Sequence, residues 1–273
     1  MLSLLLAPLG GETLKVYSEF QRIDSRGQVV APDRQERSRE ILSPAVARNA
    51  FASYRLAIRV PPGEPYTLYV GQHPENAVRI TLYREEAAGN RPGAIPDLLR
   101  RVEQPAVGTL APEEAAHTYW MDLWVVRDAP VRRVKVEAQL HVAGNWVNYP
   151  MEVRVMPPIA ASSTRSGGPL PGPGEPADAA AAGPLREYLC GTASEAGQQP
   201  LTVRGLIRRN ALQDFTIARA REQSYGREVV VGKIAAIAGI GDTAAWCEGD
   251  ARVSRPPGPE WYLRIRDLLL HGW

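Results

Sequence analysis

Hydrophobic and polar residues alternate along four segments in the first 156 positions of the chain. In segment 133–142, valine, alanine and leucine occupy the even positions, and charged or polar residues occupy the odd ones. Segments 53–60, 77–84 and 147–155 follow the same pattern. A period of two is typical of antiparallel strands that bury one face. Further strand candidates lie at 14–20, 40–46, 66–70 and 119–126.

Seven or eight short strands with turn residues between them predict a mainly β fold in this part of the chain. Pro61-Pro62-Gly63 and Ala143-Gly144-Asn145 separate strand pairs, the second as a tight hairpin. We therefore expect an antiparallel, immunoglobulin-like β-sandwich at 13–156. The alternation breaks at 85–117, which we interpret as a long insertion with short helical turns at 96–100 and 112–115. Long loops on a rigid sandwich often carry binding function.

The pattern becomes helical near the end of the chain. In 202–223, apolar residues recur at spacings of three and four, which predicts an amphipathic helix. Shorter helices are expected at 185–190, 227–238 and 259–271, and 244–247 is expected to form a turn. We predict a separate, small helical domain at 184–273. Segment 157–183 is rich in Pro, Gly and Ala, so we expect a flexible linker that lets the two parts move independently.

The two cysteines and the first residues bear on the compartment. Residues 1–12 are a short apolar run ending in small residues, which we interpret as a remnant of a signal peptide, with a first strand as the alternative. Cys190 and Cys247 are expected to form one disulfide in an exported protein. The alternative is two buried free thiols in a cytosolic protein. No apolar stretch approaches the ~18 residues of a transmembrane span, so we expect no such span. The apolar start and the cysteine pair lead us to expect an extracytoplasmic protein.

Charge and motifs give no support for several classes of function. With 32 basic and 30 acidic residues the net charge is only +2, which argues against binding nucleic acid through phosphate neutralisation. The sequence lacks a Gly-x-Ser-x-Gly nucleophile motif and a complete glycine-rich phosphate loop. We expect no cofactor and no metal, because none of the four histidines is paired with another at a ligand spacing: His73, His117, His141 and His271.

One strand combines aromatic and acidic residues in a way that suggests recognition. Alternation places Trp120, Asp122 and Trp124 on the same face of the strand at 119–126. A face of this composition is suited to stacking on sugar rings or to docking a protein partner. The alternative is that one tryptophan packs at the edge of the sandwich, beneath the insertion at 85–117.

Two stretches carry a resemblance to a known module. Residues 47–56 read ARNAFASYRL and residues 119–130 read YWMDLWVVRDAP, and Val153-Arg154-Val155 stands where a last strand would close the domain. Over about 14–156 the chain resembles the immunoglobulin-like accessory domain that precedes the catalytic barrel in certain glycoside hydrolases. The resemblance implies positioning or recognition outside the cytoplasm. Residues 184–273 are too few for a barrel of about 250 residues, so no catalytic residue is carried over.

These observations favour a non-enzymatic, exported binding or assembly protein of the cell envelope. Its sandwich would recognise a protein partner or assemble with further copies. One alternative is a carbohydrate-binding module that uses Trp120, Asp122 and Trp124 to hold polysaccharide. The other is an enzyme whose site is built from loops and is invisible in a single sequence.

Overall fold

The computed structural model describes residues 13–33, 42–87, 94–162, 179–191, 201–249 and 260–271. These residues form ten β-strands, five α-helices and a short 3₁₀ turn at Ala31–Asp33. The fold is mainly β with a helical part. The expected signal-peptide remnant at 1–12 and most of the expected linker lie outside the described residues.

The strands form two sheets of five. The first sheet has the order β1-β3-β8-β5-β6 and the second has the order β2-β10-β9-β4-β7. Within both sheets the described neighbours pair antiparallel, except that β2 runs parallel to β10. The strand bounds are β1 Leu14–Ser18, β2 Ala45–Arg48, β3 Ala50–Ile58, β4 Pro65–His73, β5 Val78–Glu86, β6 Leu98–Val102, β7 Ala106–Thr109, β8 His117–Val125, β9 Arg133–Val142 and β10 Asn145–Ile159.

The strand predicted from the longest alternating segment agrees best with the structure. The strand predicted at 133–142 is β9 in full, and its even positions are buried while its odd positions are exposed or half-buried. The predicted hairpin joins it to β10, where Ala143 and Gly144 adopt positive φ angles of 48° and 76°. Such angles give the turn a twist that matches the two strands it joins.

The interpretation of 85–117 as an insertion with helical turns is wrong in its first half. Residues 98–102 form β6, which extends the first sheet beside β5. Residues 106–109 form β7, which extends the second sheet beside β4. The free edges of β5 and β4 offer unpaired backbone groups, and pairing with them outweighs a weak local preference for helix. The second expected turn is present, with the amide of Glu114 donating to the carbonyl of Ala111.

The helices begin and end at residues that suit those positions. The helix bounds are α1 Ala179–Cys190, α2 Val203–Tyr225, α3 Arg227–Ile237, α4 Thr243–Glu248 and α5 Glu260–His271. The Thr202 hydroxyl accepts from the amide of Gly205 at the start of α2, and Asp242 accepts from Ala245 at the start of α4. Gly226 ends α2 with a φ of 84°, an angle that suits glycine.

The helical part packs on the strands, contrary to the independent movement expected from the linker. A hydrophobic core cluster contains Leu123 of β8, Leu140 of β9 and Phe215 of α2. At the start of α2, the amide of Val203 donates to the carbonyl of Asp97 at 2.8 Å. Burial of apolar surface between the parts outweighs the freedom that a linker of this composition allows. The division at 157–183 itself stays a prediction.

Cys190 of α1 and Cys247 of α4 form the expected disulfide, with Cα atoms 5.5 Å apart. It joins α4 to the rest of the helical part. Across the described ranges, no helix combines the length and the apolar character that crossing a bilayer requires.

Candidate functional site

The residues proposed as a binding face share one side of β8, but that side is covered. Trp120 and Asp122 are buried, and Trp124 is half-buried. The Arg209 guanidinium of α2 donates to both oxygens of Asp122, at 2.7 and 3.0 Å. The expectation of an open face at Trp120, Asp122 and Trp124 is therefore corrected. Alternation assigned the face correctly, but it could not show that a helix 80 residues later would cover it.

The rings on the covered face contact arginine and phenylalanine side chains. The Arg55 guanidinium lies 5.6 Å from the Trp120 ring and forms a buried ion pair with Glu85. Burial raises the pKa of Glu85, and the charge of Arg55 opposes this rise. The Trp124 ring stacks on Phe51 with 6.2 Å between centroids. These contacts add cation–π and stacking energy to the interior of the protein.

A chain of polar contacts continues from Asp122 towards the last helix. The Ser53 hydroxyl donates to Asp122 at 2.7 Å. The Asn210 amide of α2 donates to Ser53 at 3.2 Å and to Glu19 at 2.9 Å. The Arg266 guanidinium of α5 donates to Glu19 at 2.8 Å. The chain therefore links β8, β3, α2, α5 and the segment after β1.

A buried charge cluster, Glu19, Asp214, Tyr262 and Arg266, lies at the end of this chain. Arg266 also donates to Asp214 at 2.7 Å, and the Tyr262 hydroxyl donates to the same carboxylate at 2.5 Å. Burial raises the pKa of Glu19, and Arg266 opposes it. Burial works against the charge of Arg266, but Asp214 and Glu19 outweigh it and raise its pKa. The cluster is a buried network in which Arg266 bridges two carboxylates, while its Nη2 atom has no hydrogen-bond partner among the described residues.

A second polar cluster resembles a catalytic triad in its spacing. The Tyr66 hydroxyl lies 2.5 Å from Nδ1 of His117 and 2.6 Å from the Tyr119 hydroxyl. Nε2 of His117 lies 3.0 Å from the Glu114 carboxylate. A neutral His117 with its proton on Nε2 satisfies these contacts, since Tyr66 then donates to Nδ1. The guanidinium of Arg84 donates to both tyrosine hydroxyls at 3.4 Å.

Burial favours the neutral forms of Tyr66 and His117 in this cluster. Burial raises the pKa of Tyr66, so its hydroxyl stays protonated and is a poor nucleophile. Burial and the charge of Arg84 lower the pKa of His117. A Cβ added at Gly108 would lie 2.5 Å from the Tyr66 hydroxyl oxygen, so β7 closes over it. The cluster joins β4 of the second sheet to β8 of the first, which is a structural role.

The exposed side of the second sheet is built in rows across neighbouring strands. We call it the open face; it consists of the odd positions of β4 from Thr67, the odd positions of β9, the even positions of β10 from Trp146, and Val107 of β7. Its first row runs Trp146, His141, Thr67 and Val107. The second row runs Asn148, Gln139 and Tyr69.

Two aromatic side chains stand out on the open face. Trp146 is 60% exposed and Tyr69 is 45% exposed. The Trp146 ring lies 4.9 Å from the His141 ring, which helps to hold it in place. The amides of Asn148 and Gln139 share the row of Tyr69, next to the row of Trp146, and Gln139 donates to Glu137 at 2.6 Å. The rings and amides thus form a flat surface with apolar and hydrogen-bonding groups together.

The signal for this surface was present in the sequence. Alternation put Val147, Tyr149 and Met151 on the buried side of β10, so Trp146 had to lie on the other side. The three tryptophans on strands differ only in what covers their faces. Among the residues that the structure describes, no group of three or more His, Cys, Asp or Glu side chains is placed to hold a metal ion.

Comparison with known proteins finds no matching family model and no matching curated protein. Among solved structures, a family 123 glycoside hydrolase from Clostridium perfringens matches 55% of this chain and 28% of its own length, with 8% identity and a TM-score of 0.34. The C-terminal domain of the Streptococcus agalactiae AgI/II polypeptide BspA matches 51% of this chain and 49% of its own length, with 13% identity and a TM-score of 0.27.

A fimbrial chaperone–tip adhesin complex matches 45% of this chain and 56% of its own length, with 10% identity and a TM-score of 0.22. The chain therefore spans between about a quarter and just over half of the structures named here. These likenesses extend to a β-rich fold and carry no argument about function.

Proposed function

We propose that this chain is a non-enzymatic binding protein of the cell envelope, and that it recognises its partner through the open face of the second sheet. The exposure of Trp146 and Tyr69, in adjacent rows of a fully paired sheet, carries this proposal. Exposed aromatic side chains that are held in place lose little conformational entropy on binding and bury a large area. The strands that present them are rigid, which favours recognition without rearrangement.

We propose further that the two sheets form an immunoglobulin-like sandwich at 13–156, joined through 157–183 to a helical domain at 184–273. The strand orders support this, because β1-β3-β8-β5 and β10-β9-β4 follow the A-B-E-D and G-F-C orders of immunoglobulin sheets. In this arrangement, α2 packs against the face of the first sheet that carries Asp122. The second sheet is then the side left for a partner.

An extracytoplasmic location is part of the proposal. The Cys190–Cys247 disulfide supports it, because structural disulfides persist in oxidising compartments. A small helical unit of this kind gains stability from such a bridge without needing a larger core.

The test compares binding of purified protein to the envelope fraction of the producing cells, measured by co-sedimentation. We expect the double variant Trp146→Ala, Tyr69→Ala to lose about tenfold or more in affinity, since truncating two aromatic anchors commonly costs this much. The matched control is Tyr225→Ala at the end of α2, where the tyrosine is also 45% exposed. Wild-type levels of binding by the double variant, or no binding by the wild type, would contradict the proposed function.

A further inference from the structure

The open face carries different chemistry at its two ends. The rows of Trp146 and Tyr69 form one end, which we call the aromatic end. At the other end, Glu152, Lys135 and His73 form one row, and Arg154 and Arg133 form the next. We call these two rows the cationic end. Along β9, the row of His141 lies six positions from that of Lys135, which corresponds to about 20 Å.

Positive charge dominates the cationic end. Three cationic side chains face one carboxylate, that of Glu152, and this carboxylate is already engaged. Arg133 donates to it at 2.7 Å and the Ser43 hydroxyl donates to it at 2.5 Å. Lys135 lies exposed in the same row. This end of the face therefore attracts negatively charged groups.

The composition of the open face distinguishes between classes of partner. Between the aromatic and cationic ends, the outward positions of β9 and β10 carry Gln139, Glu137, Asn148 and Pro150. Protein interfaces are centred on contiguous apolar and aromatic residues that exclude water. Here isolated rings lie among amides and carboxylates. A pyranose ring has the complementary form, with an apolar C–H face that meets the negative face of an aromatic ring and a rim of hydroxyls that meet polar groups.

Resting on the proposed function, we infer that the open face binds an anionic polysaccharide laid along β9. The sugar rings stack on Trp146 and Tyr69, and the side-chain amides of Asn148 and Gln139 form hydrogen bonds with the sugar hydroxyls. Its charged substituents, uronate carboxylates or phosphates, reach Lys135, Arg133 and Arg154. The length of about 20 Å accommodates several sugar units, and so an extended chain rather than a single sugar.

The experiment uses polysaccharide prepared from the envelope of the producing cells and freed of protein by protease digestion. Binding of the full-length protein is measured by affinity electrophoresis on three samples. The first is untreated, the second has its uronate carboxyls reduced to alcohols, and the third has its phosphates removed with hydrogen fluoride. We expect binding to the untreated sample, and loss of binding to one treated sample, which identifies the anion.

The charge contribution is tested by Lys135→Glu. We expect it to weaken binding about tenfold and to reduce the dependence of affinity on salt, because a favourable charge is replaced by an opposing one. Lys233→Glu on α3 changes the net charge equally but lies on a helix outside the open face, and we expect binding as in the wild type.

The outcomes separate this inference from the proposed function. Binding that survives both chemical treatments, or equal loss in Lys135→Glu and Lys233→Glu, would overturn the anionic assignment. Envelope binding that depends on Trp146 and Tyr69, with none to protein-free polysaccharide, would identify a protein partner. In that case the inference fails and the proposed function stands.

Discussion

At the scale of single residues, the interior of this protein contains buried ion pairs that the sequence pattern does not predict. Arg55 and Glu85 form one buried ion pair, and Glu19 and Arg266 form another. Removing a charge from water costs several kcal/mol, which only good geometry and further hydrogen bonds offset. In each case the partner comes from another strand or helix, so no local sequence pattern marks the pair.

His117 provides a prediction about pH. Burial and Arg84 lower its pKa in the folded protein, whereas the unfolded chain keeps the ordinary value of 6.5. Below that pH the unfolded state binds the proton first, so His117 lowers the free energy of unfolding as the pH falls towards its folded pKa. We expect this loss to disappear in His117→Gln. The measurement is urea unfolding of both proteins at several pH values on either side of 6.5.

The difference between the two proteins isolates the histidine from other groups. Burial raises the pKa of Glu19 and Glu85, which has the opposite effect on stability, but both proteins share it. Keeping the pH above 4.5 avoids Glu114, whose lowered pKa removes stability only in stronger acid. The exposed His73 provides the control, as His73→Gln. A pH dependence of stability that is identical in wild type and His117→Gln would contradict the prediction.

At the scale of elements, the same residues can form a strand or a helix according to what lies beside them. The sequence predicts a helical turn at 96–100, but residues 98–102 pair with β5 from Leu82 to Glu86. α4, by contrast, is helical although little in its own sequence stabilises a helix. It has only six residues, none of them buried, and isolated helices of this length are unstable in water.

The disulfide is therefore expected to hold α4 in place. In the double variant Cys190→Ser, Cys247→Ser, we expect the amides of α4 to exchange hydrogen much faster, because the helix loses its covalent anchor. The chain-entropy model also gives a loss of about 4 kcal/mol in the free energy of unfolding for a bridge that closes this loop. Hydrogen exchange followed by mass spectrometry measures the first effect. The α2 amides, on a helix with twelve buried residues, serve as the internal reference.

Exchange of α4 at the wild-type rate in this variant would show that other contacts fix the helix. Contacts with Arg186 are other interactions that could hold α4. Arg186 of α1 donates to the carbonyl of Cys247 at 2.8 Å, and its guanidinium lies 5.2 Å from the Trp246 ring. They are few and half-buried, so we expect them to be insufficient without the bridge.

At the scale of the whole molecule, sheets and helices share a core and the charge cluster of Glu19, Asp214, Tyr262 and Arg266. We therefore expect one cooperative unfolding transition by calorimetry. Arg266→Met should move that whole transition to lower temperature, because losing one partner of a buried pair costs about 3–5 kcal/mol. The control Arg100→Met breaks the exposed pair with Glu86, which is worth at most about 1 kcal/mol. Two separate transitions, only one of them moved by Arg266→Met, would contradict this prediction.

How far the sequence predicts this molecule depends on how local the relevant forces are. The strand at 133–142 and the helix at 202–223 were predictable, because burial of one face imposes its own period. β6 and β7 were not, since their pairing partners lie elsewhere in the chain. The same holds for the site. Trp120 and Trp146 both lie on strands, and only the tertiary structure shows that one is buried and the other exposed.

By itself, the sequence determined the strands with strict alternation and the amphipathic helices, and it favoured pairing of the two cysteines. The strands and helices depend on residues two to four positions apart in the chain. Each cysteine has a single possible partner. Only the tertiary structure decided that the helical part packs on strands of both sheets, that Asp122 is covered, and that Trp146 and Tyr69 share an open face. Such outcomes follow from contacts between residues far apart in the chain, where the shape and charge of two surfaces must match.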